Sequence, residues 1–172
     1  MAHDPGPHEG GDGVPLRVKI LTVSDGVVHG GREDRSGAAL ADHLAAHGWE
    51  VVERMVTEDG ELPVAGAIGD LADGFHGLIV TTGGTGFGPR DRTPEGTRAV
   101  IDREAPGLAE AMRLVNPLGR LSRAVAGTLD TALVVNTPGS SKGCIETLDA
   151  VLDVLPHAVR LLVDNADPHP HP

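Results

Sequence analysis

Thr82-Gly83-Gly84-Thr85-Gly86, followed after Phe87-Gly88-Pro89-Arg90 by Asp91, brings together residue types that bind polyanions. Gly83, Gly84 and Gly86 permit φ > 0 and let backbone N–H groups approach a ligand closely. Thr93-Pro94 then supplies an N-cap and a proline at the first helical position. Concave amides beside a helix N-terminus form an anion site, most often for phosphate. Asp91 would be repelled by a phosphate unless a divalent cation, typically Mg²⁺, lay between them. A second junction, Thr137-Pro138-Gly139-Ser140-Ser141-Lys142-Gly143, has the same character: a serine cap, free first-turn N–H groups and a lysine point charge. Alone it is an ordinary capped helix start; beside the first loop it reads as a second anion contact. Asp59, in Thr57-Glu58-Asp59-Gly60, is by itself a turn residue. Neighbouring parallel strands would bring it near Asp91. Two carboxylates beside phosphate-binding amides suit Mg²⁺-nucleotide chemistry.

Other chemistries lack their residues. Gly84-Thr85-Gly86-Phe87-Gly88 has neither the spacing nor the ribose acid of a dinucleotide fingerprint, and no Gly-Lys-Ser/Thr closes a Walker loop. A nicotinamide-dependent oxidoreductase is therefore disfavoured. The nine histidines form no ligand set. His43 and His47 stand one turn apart on a helix without a third ligand, which reads as a solvent face. There is no G-x-S-x-G nucleophile elbow. Cys144, the only cysteine, excludes an intrachain disulfide and reads as half-buried helix filler in a reducing compartment. Aromatics at 2% and a net charge of −11 argue against nucleic acid, which needs stacking platforms and a basic face. Arg90, Arg92, Arg123 and Lys142 flank the glycine-rich segments and offer local cations for a small anion. No apolar run approaches the roughly 20 residues of a membrane span, and the N-terminus has no signal-peptide pattern. A soluble, cytoplasmic protein is expected.

The elements that position these loops alternate. Strands are expected over Leu16 to Val23, Glu50 to Val56 and Leu78 to Thr82, and helices over Ser36 to His47 and Glu61 to Asp73. Gly48 and Gly74 stop the two helices. A third helix runs from Pro94 to Glu104, breaks at Pro106-Gly107 and resumes through Val115. Ala124 to Leu129 and Ala132 to Asn136 form a hairpin turning near Asp130. A last helical stretch carries Ile145, Leu148, Leu152, Leu155, Val159 and Leu162, kinked or split at Pro156. The pattern predicts an α/β fold: three α/β/α layers, a mostly parallel sheet and one late antiparallel hairpin strand. Residues 16–163 make one domain between disordered tails, 1–15 and 164–172. Such sheets bind ligands beyond the carboxyl ends of their strands, where all the loops above fall.

Together these residues resemble the molybdenum cofactor biosynthesis proteins of the MogA/MoaB type, and likewise the gephyrin-like and plant cofactor-insertion G domains. The signature is Thr82-Gly83-Gly84-Thr85-Gly86, Asp91 and Thr93-Pro94-Glu95. Val23-Ser24-Asp25, Glu33-Asp34-Arg35-Ser36-Gly37, Ala105-Pro106-Gly107, Leu121-Ser122-Arg123 and Val135-Asn136-Thr137-Pro138-Gly139-Ser140 support it by order and spacing. The resemblance implies Mg²⁺-ATP-dependent adenylylation of molybdopterin with release of pyrophosphate, or a scaffold that binds the pterin without catalysis. It implies that Asp59 and Asp91 are catalytic and hold Mg²⁺. It also implies that Ser24, Thr82, Gly83, Gly84, Thr85, Gly86, Ser122, Asn136, Pro138, Gly139, Ser140 and Lys142 hold pterin and phosphate groups. It further implies a homo-oligomer, trimer or hexamer, and admits a molybdate-insertion partner protein. Two departures stand out. Gly26 replaces a frequent Arg, removing one phosphate contact, and Thr137 replaces Leu, making the pocket floor more polar.

Overall fold

The computed structural model describes residues 16–163. The segments 1–15 and 164–172, expected as tails, lie outside the described residues. The strands are β1 (Leu16–Val23), β2 (Trp49–Thr57), β3 (Gly77–Thr82), β4 (Arg103–Glu104), β5 (Ala126–Leu129) and β6 (Ala132–Thr137). The helices are α1 (Asp25–Val28), α2 (Arg35–Ala46), α3 (Glu61–Ala72), α4 (Thr93–Arg98), α5 (Pro106–Leu114), α6 (Ser141–Asp149) and α7 (Leu155–Leu161). One six-stranded sheet has the order β2-β1-β3-β6-β5-β4. β2, β1, β3 and β6 are parallel; β5 runs antiparallel to both β6 and β4.

Strand alternation sorts the core into two layers. Val18, Ile20, Leu78, Val80, Leu133 and Val135 point to the side covered by α2, α5, α6 and α7, where Leu40, Leu44, Met112, Leu148 and Leu155 meet them. Leu21, Val23, Ile79 and Val134 point the other way, onto Val64, Ile68 and Leu71 of α3. The three-layer expectation is met. β1 lies between β2 and β3, so the chain crosses from one side of β1 to the other after β2. The carboxyl ends of β1 and β3 are therefore the topological switch point, where open α/β sheets leave a crevice.

Several expectations change in detail. The helix expected from Pro94 to Glu104 ends at Arg98, and β4 occupies its C-terminal part, because the β5 edge is free to pair with Arg103 and Glu104. Thr93 is the first helical residue rather than the cap; its hydroxyl donates to the Gly83 carbonyl at 2.9 Å, and Arg92 stands at the cap position, where its side chain does not cap the helix. α1 and a 3₁₀ turn, Pro117–Leu121, were unforeseen. The hairpin turns at Asp130, whose φ of 54° is the left-handed conformation that an Asp tolerates. The last helical stretch splits into α6 and α7, with Pro156 in the first turn of α7. Asp59 and Asp91 do not follow neighbouring strands, since β1 separates β2 from β3. Among the described residues no helix is long and apolar enough to cross a membrane.

Candidate active site

Two cavities open at the carboxyl end of the sheet, of about 860 and 480 Å³. The larger sits at the switch point and is lined by Ser24, Asp59, Thr82, Gly83, Ser141 and the segment Gly31 to Ser36. The smaller is walled by Thr85, Gly86, Ser122, Asn136 and Pro138, with Met112, Leu118 and Leu121 giving it an apolar side. Gly84, Asp91, Gly139 and Ser140 line both. The glycine loop and the α6 junction thus form one partition between two chambers. Lys142 lines neither cavity; it is largely exposed, with Nζ 3.6 Å from Glu146.

The glycine loop takes its shape from close backbone approach. Gly83 has φ 102° and Gly84 φ 68°, whereas Gly86 is not left-handed. A Cβ on Gly83 would sit 2.3 Å from the Val23 carbonyl oxygen, and one on Gly84 2.3 Å from Thr93 Oγ1. Only glycine lets β3 turn this tightly against β1. Gly83 N–H donates to Thr137 O, but among the described residues the N–H groups of Gly84, Thr85 and Gly86 have no acceptor. At the second junction Ser140 Oγ caps α6 by accepting from Gly143 N at 2.9 Å. Ser141 and Lys142 keep first-turn N–H groups free of acceptors in the described chain. Both ends of the partition therefore present donors.

The carboxylates are held by backbone. Asp25 N donates to Asp59 Oδ2 at 2.9 Å, and Asp59 N donates to Asp25 Oδ1 at 3.1 Å. Arg90 clamps this exchange from above, with Nε 2.6 Å from Asp25 Oδ2 and Nη2 3.0 Å from the Asp59 carbonyl. The hydrogen bond from Arg90 holds the Asp25 carboxyl below its ordinary range, assisted by the Asp59 N–H and by the charges of Arg90 and His29 against a smaller opposing effect of burial. Asp91 Oδ2 accepts from Gly88 N at 2.8 Å, which folds its loop back on itself. Asp59 Oδ1 and Asp91 Oδ1 accept no hydrogen bond from the described residues. Among those residues no group of three or more His, Cys, Asp or Glu side chains converges on a metal position. Two carboxylates with a free oxygen each fit Mg²⁺, which usually takes one or two protein carboxylates and completes its shell with water and substrate phosphates.

The cations expected to meet the anion are mostly engaged. Arg90 is on Asp25, and Arg92 pairs with Glu61 at 3.2 Å. Arg123 lies beneath the loop, donating to the carbonyls of Gly86 and Asp91 and pairing with Glu95. Burial pushes the Glu95 carboxyl up, yet the hydrogen bond from Arg123, a backbone bond and the nearby arginine charges leave it below its ordinary value. Arg123 is thus a brace for the loop.

Asn136 is wholly buried on the wall of the smaller cavity: Oδ1 accepts from Val125 N at 3.0 Å, and Nδ2 donates to Thr81 Oγ1 and Thr97 Oγ1, each at 3.0 Å. Thr137 does not make the cavity floor more polar, as its Oγ1 donates to the Thr81 carbonyl at 2.8 Å and it lines neither chamber. Cys144 is fully buried, beyond the half-burial expected, and burial pushes its thiol up to about 11, so it stays protonated. His43 bonds Asp149 at 2.6 Å and ties α2 to α6 instead of simply facing solvent. The segment Gly31 to Ser36 enters the sequence reading only as part of the family resemblance; in the structure Asp34 caps α2 and the segment lines the larger cavity. Its position just after β1, at the same sheet edge as the other loops, was the available signal. The apolar wall residues Met112, Leu118 and Leu121 had no such signal.

A doubly wound sheet with glycine and serine loops presenting backbone donors at its mouth defines the class: a three-layer α/β protein with a strand-end crevice. Residues 19–157 match the family model described as a probable molybdopterin binding domain, and the chain belongs to that family. It is 34% identical over 158 residues to a molybdopterin adenylyltransferase of Helicobacter pylori, covering 87% of this chain and 89% of the relative. It is 35% identical over 146 residues to the molybdopterin adenylyltransferase of Escherichia coli K12, covering 80% and 74%. Among solved structures, the molybdopterin biosynthesis enzyme MoaB of Thermus thermophilus superposes with a TM-score of 0.81 at 48% identity, over 86% of this chain and 96% of that one.

Two expectations test the geometry. Asn136→Ala strips Val125 N of its acceptor and should cost about 2 kcal/mol in urea unfolding, the usual cost of an orphaned buried donor. In Arg90→Ala the Asp25 carboxyl should rise towards 3.8 in an NMR titration. Because the folded value is depressed, the wild-type contribution is present above the unfolded pKa and fades as pH falls through the folded one. The variant should lose that acid-side dependence.

Proposed function

We propose that the chain adenylylates molybdopterin, using ATP and releasing pyrophosphate. One observation carries this reading: two chambers of different character share a partition of backbone donors and a carboxylate. The polar chamber at the switch point suits the nucleotide, and the chamber with the apolar wall suits the pterin. The reacting phosphates then meet at Gly84, Asp91, Gly139 and Ser140. In the proposed step an oxygen of the pterin's terminal phosphate forms a bond to the α-phosphorus of ATP, the bond from that phosphorus to the bridging oxygen breaks, and pyrophosphate leaves with the electron pair. No protein nucleophile is required, and Cys144, buried and protonated, does not supply one. The protein's part is to align the groups and to direct fixed dipoles at the charge that develops.

Each site residue has a role in this proposal. The free N–H groups of Gly84, Thr85 and Gly86 cradle phosphate oxygens from one side, and the α6 N-terminus with Ser140 does so from the other. Ser24 and Thr82 line the nucleotide chamber, while Ser122, Asn136 and Pro138 shape the pterin chamber. Gly83 and Gly139 allow the loops to pass closely. Asp59 and Asp91 would hold Mg²⁺, which when bound neutralises phosphate charge and orients the leaving group. Lys142 adds a mobile charge at the rim. The setting proposed is the cytoplasm. Further, Leu114, Leu118 and Leu121 are exposed beside the pterin chamber, and we propose that copies associate there as a trimer or hexamer, with a molybdate-insertion protein as a downstream partner.

With molybdopterin, ATP and Mg²⁺, the wild-type protein should release pyrophosphate. Asp91→Asn should fold normally and lose at least about 100-fold in turnover, by comparison with the loss of a single preorganised electrostatic group. Pterin binding without any pyrophosphate release would leave a non-catalytic scaffold. Light scattering should give three or six chain masses; a single mass would remove the assembly proposal.

A further inference from the structure

We infer that Arg32, carried across the bare backbone of Gly26, is the cation that meets the nucleotide's phosphates in the larger chamber; this rests on the adenylyl-transfer reading. Arg32 lines that chamber. Its backbone is pinned to Gly26, whose carbonyl accepts from both Gly31 N at 2.9 Å and Arg32 N at 3.0 Å. Its stem then runs over the glycine: a Cβ at position 26 would lie 2.9 Å from Arg32 Cδ, 3.3 Å from Cγ and 3.6 Å from Cβ. The space that a side chain at 26 would use is thus taken by the aliphatic part of Arg32.

Charge accounting singles out the same residue. The chamber's acidic lining is Glu33, Asp34, Asp59 and Asp91. Asp34 is paired with Arg54 at 2.8 Å, and Arg90 is committed to Asp25. Arg35, the other arginine on the lining, has Nε 3.6 Å from Glu33. Arg32 forms no ion pair among the described residues. A polyphosphate entering this chamber therefore meets one guanidinium that need not abandon a carboxylate to bind it. The planar fork of that guanidinium can take two phosphate oxygens at once.

The test uses the full-length protein and titration calorimetry with Mg²⁺ present. ATP and adenosine are compared on wild type, Arg32→Ala, Arg32→Lys and Gly26→Ala, with Arg98→Ala as the control for an equal loss of charge elsewhere. Arg32→Ala should weaken ATP about tenfold, the scale of one charge-assisted hydrogen bond, and leave adenosine unchanged. Arg32→Lys should recover part of the loss. Gly26→Ala, which displaces the stem without touching its charge, should weaken ATP several-fold in the same sense. Arg98→Ala should stay within twofold of wild type. An Arg32→Ala protein that binds ATP as tightly as wild type overturns this assignment alone. A folded wild type that binds no ATP overturns both the assignment and the reading beneath it.

Discussion

Three parallel strands end side by side in a protein of net charge −11, and the exchange between Asp25 and Asp59 makes that arrangement tolerable. Each aspartate accepts the other's backbone N–H, so two anions are held together by dipoles instead of driven apart by charge. Arg90 reaches from the loop after β3 to pair with the Asp25 carboxylate and to donate to the Asp59 carbonyl, joining three loops that follow three strands. The width of the larger chamber and the placing of Asp59 on its lining depend on this clamp. With Arg92 on Glu61, it is what ties the end of β2 across β1 to the loop after β3.

Within that frame the chemistry is supplied mainly by backbone. Gly83 and Gly84 bring β3's exit so close to Val23 and Thr93 that no side chain fits, and the following N–H groups find no acceptor among the described residues. Arg123, bonded to the carbonyls at either end of the Gly86 to Asp91 turn, stops those donors from relaxing into a tighter turn. Rigid donors need little reorganisation when charge appears, which is the main way a site without a nucleophile lowers a barrier.

The fold was legible where periodicity and stop signals agreed. The β1, α2, β2, α3, β3 succession falls within a residue or two of expectation, because each helix ends at Gly48 or Gly74 with φ positive. It was illegible where tertiary pairing overrides local preference: Arg103 and Glu104 continue a helical pattern, yet the open edge of β5 draws them into a strand. The site followed the same division. Glycines, capping serines and loop aspartates are visible because backbone chemistry restricts what may stand there. The destinations of long cationic side chains are not, since Arg90, Arg92 and Arg123 each find a carboxylate or carbonyl that lies far away in sequence. Thr137 makes the point in reverse: a polar substitution that looks disruptive is absorbed by one carbonyl of the neighbouring strand.

The shape of the sheet's rims governs how copies of the chain can meet. β4 is two residues long and carries Arg103 and Glu104, both exposed. At the opposite margin β2 sets Glu50, Glu53 and Arg54 towards solvent. A two-residue border on one side and a charged one on the other give a stray strand no flat apolar rail on which to hydrogen-bond, which is how sheet proteins escape runaway fibril growth. Sheet-to-sheet addition is thereby disfavoured at both margins, which leaves the helical flanks as the faces where copies could meet.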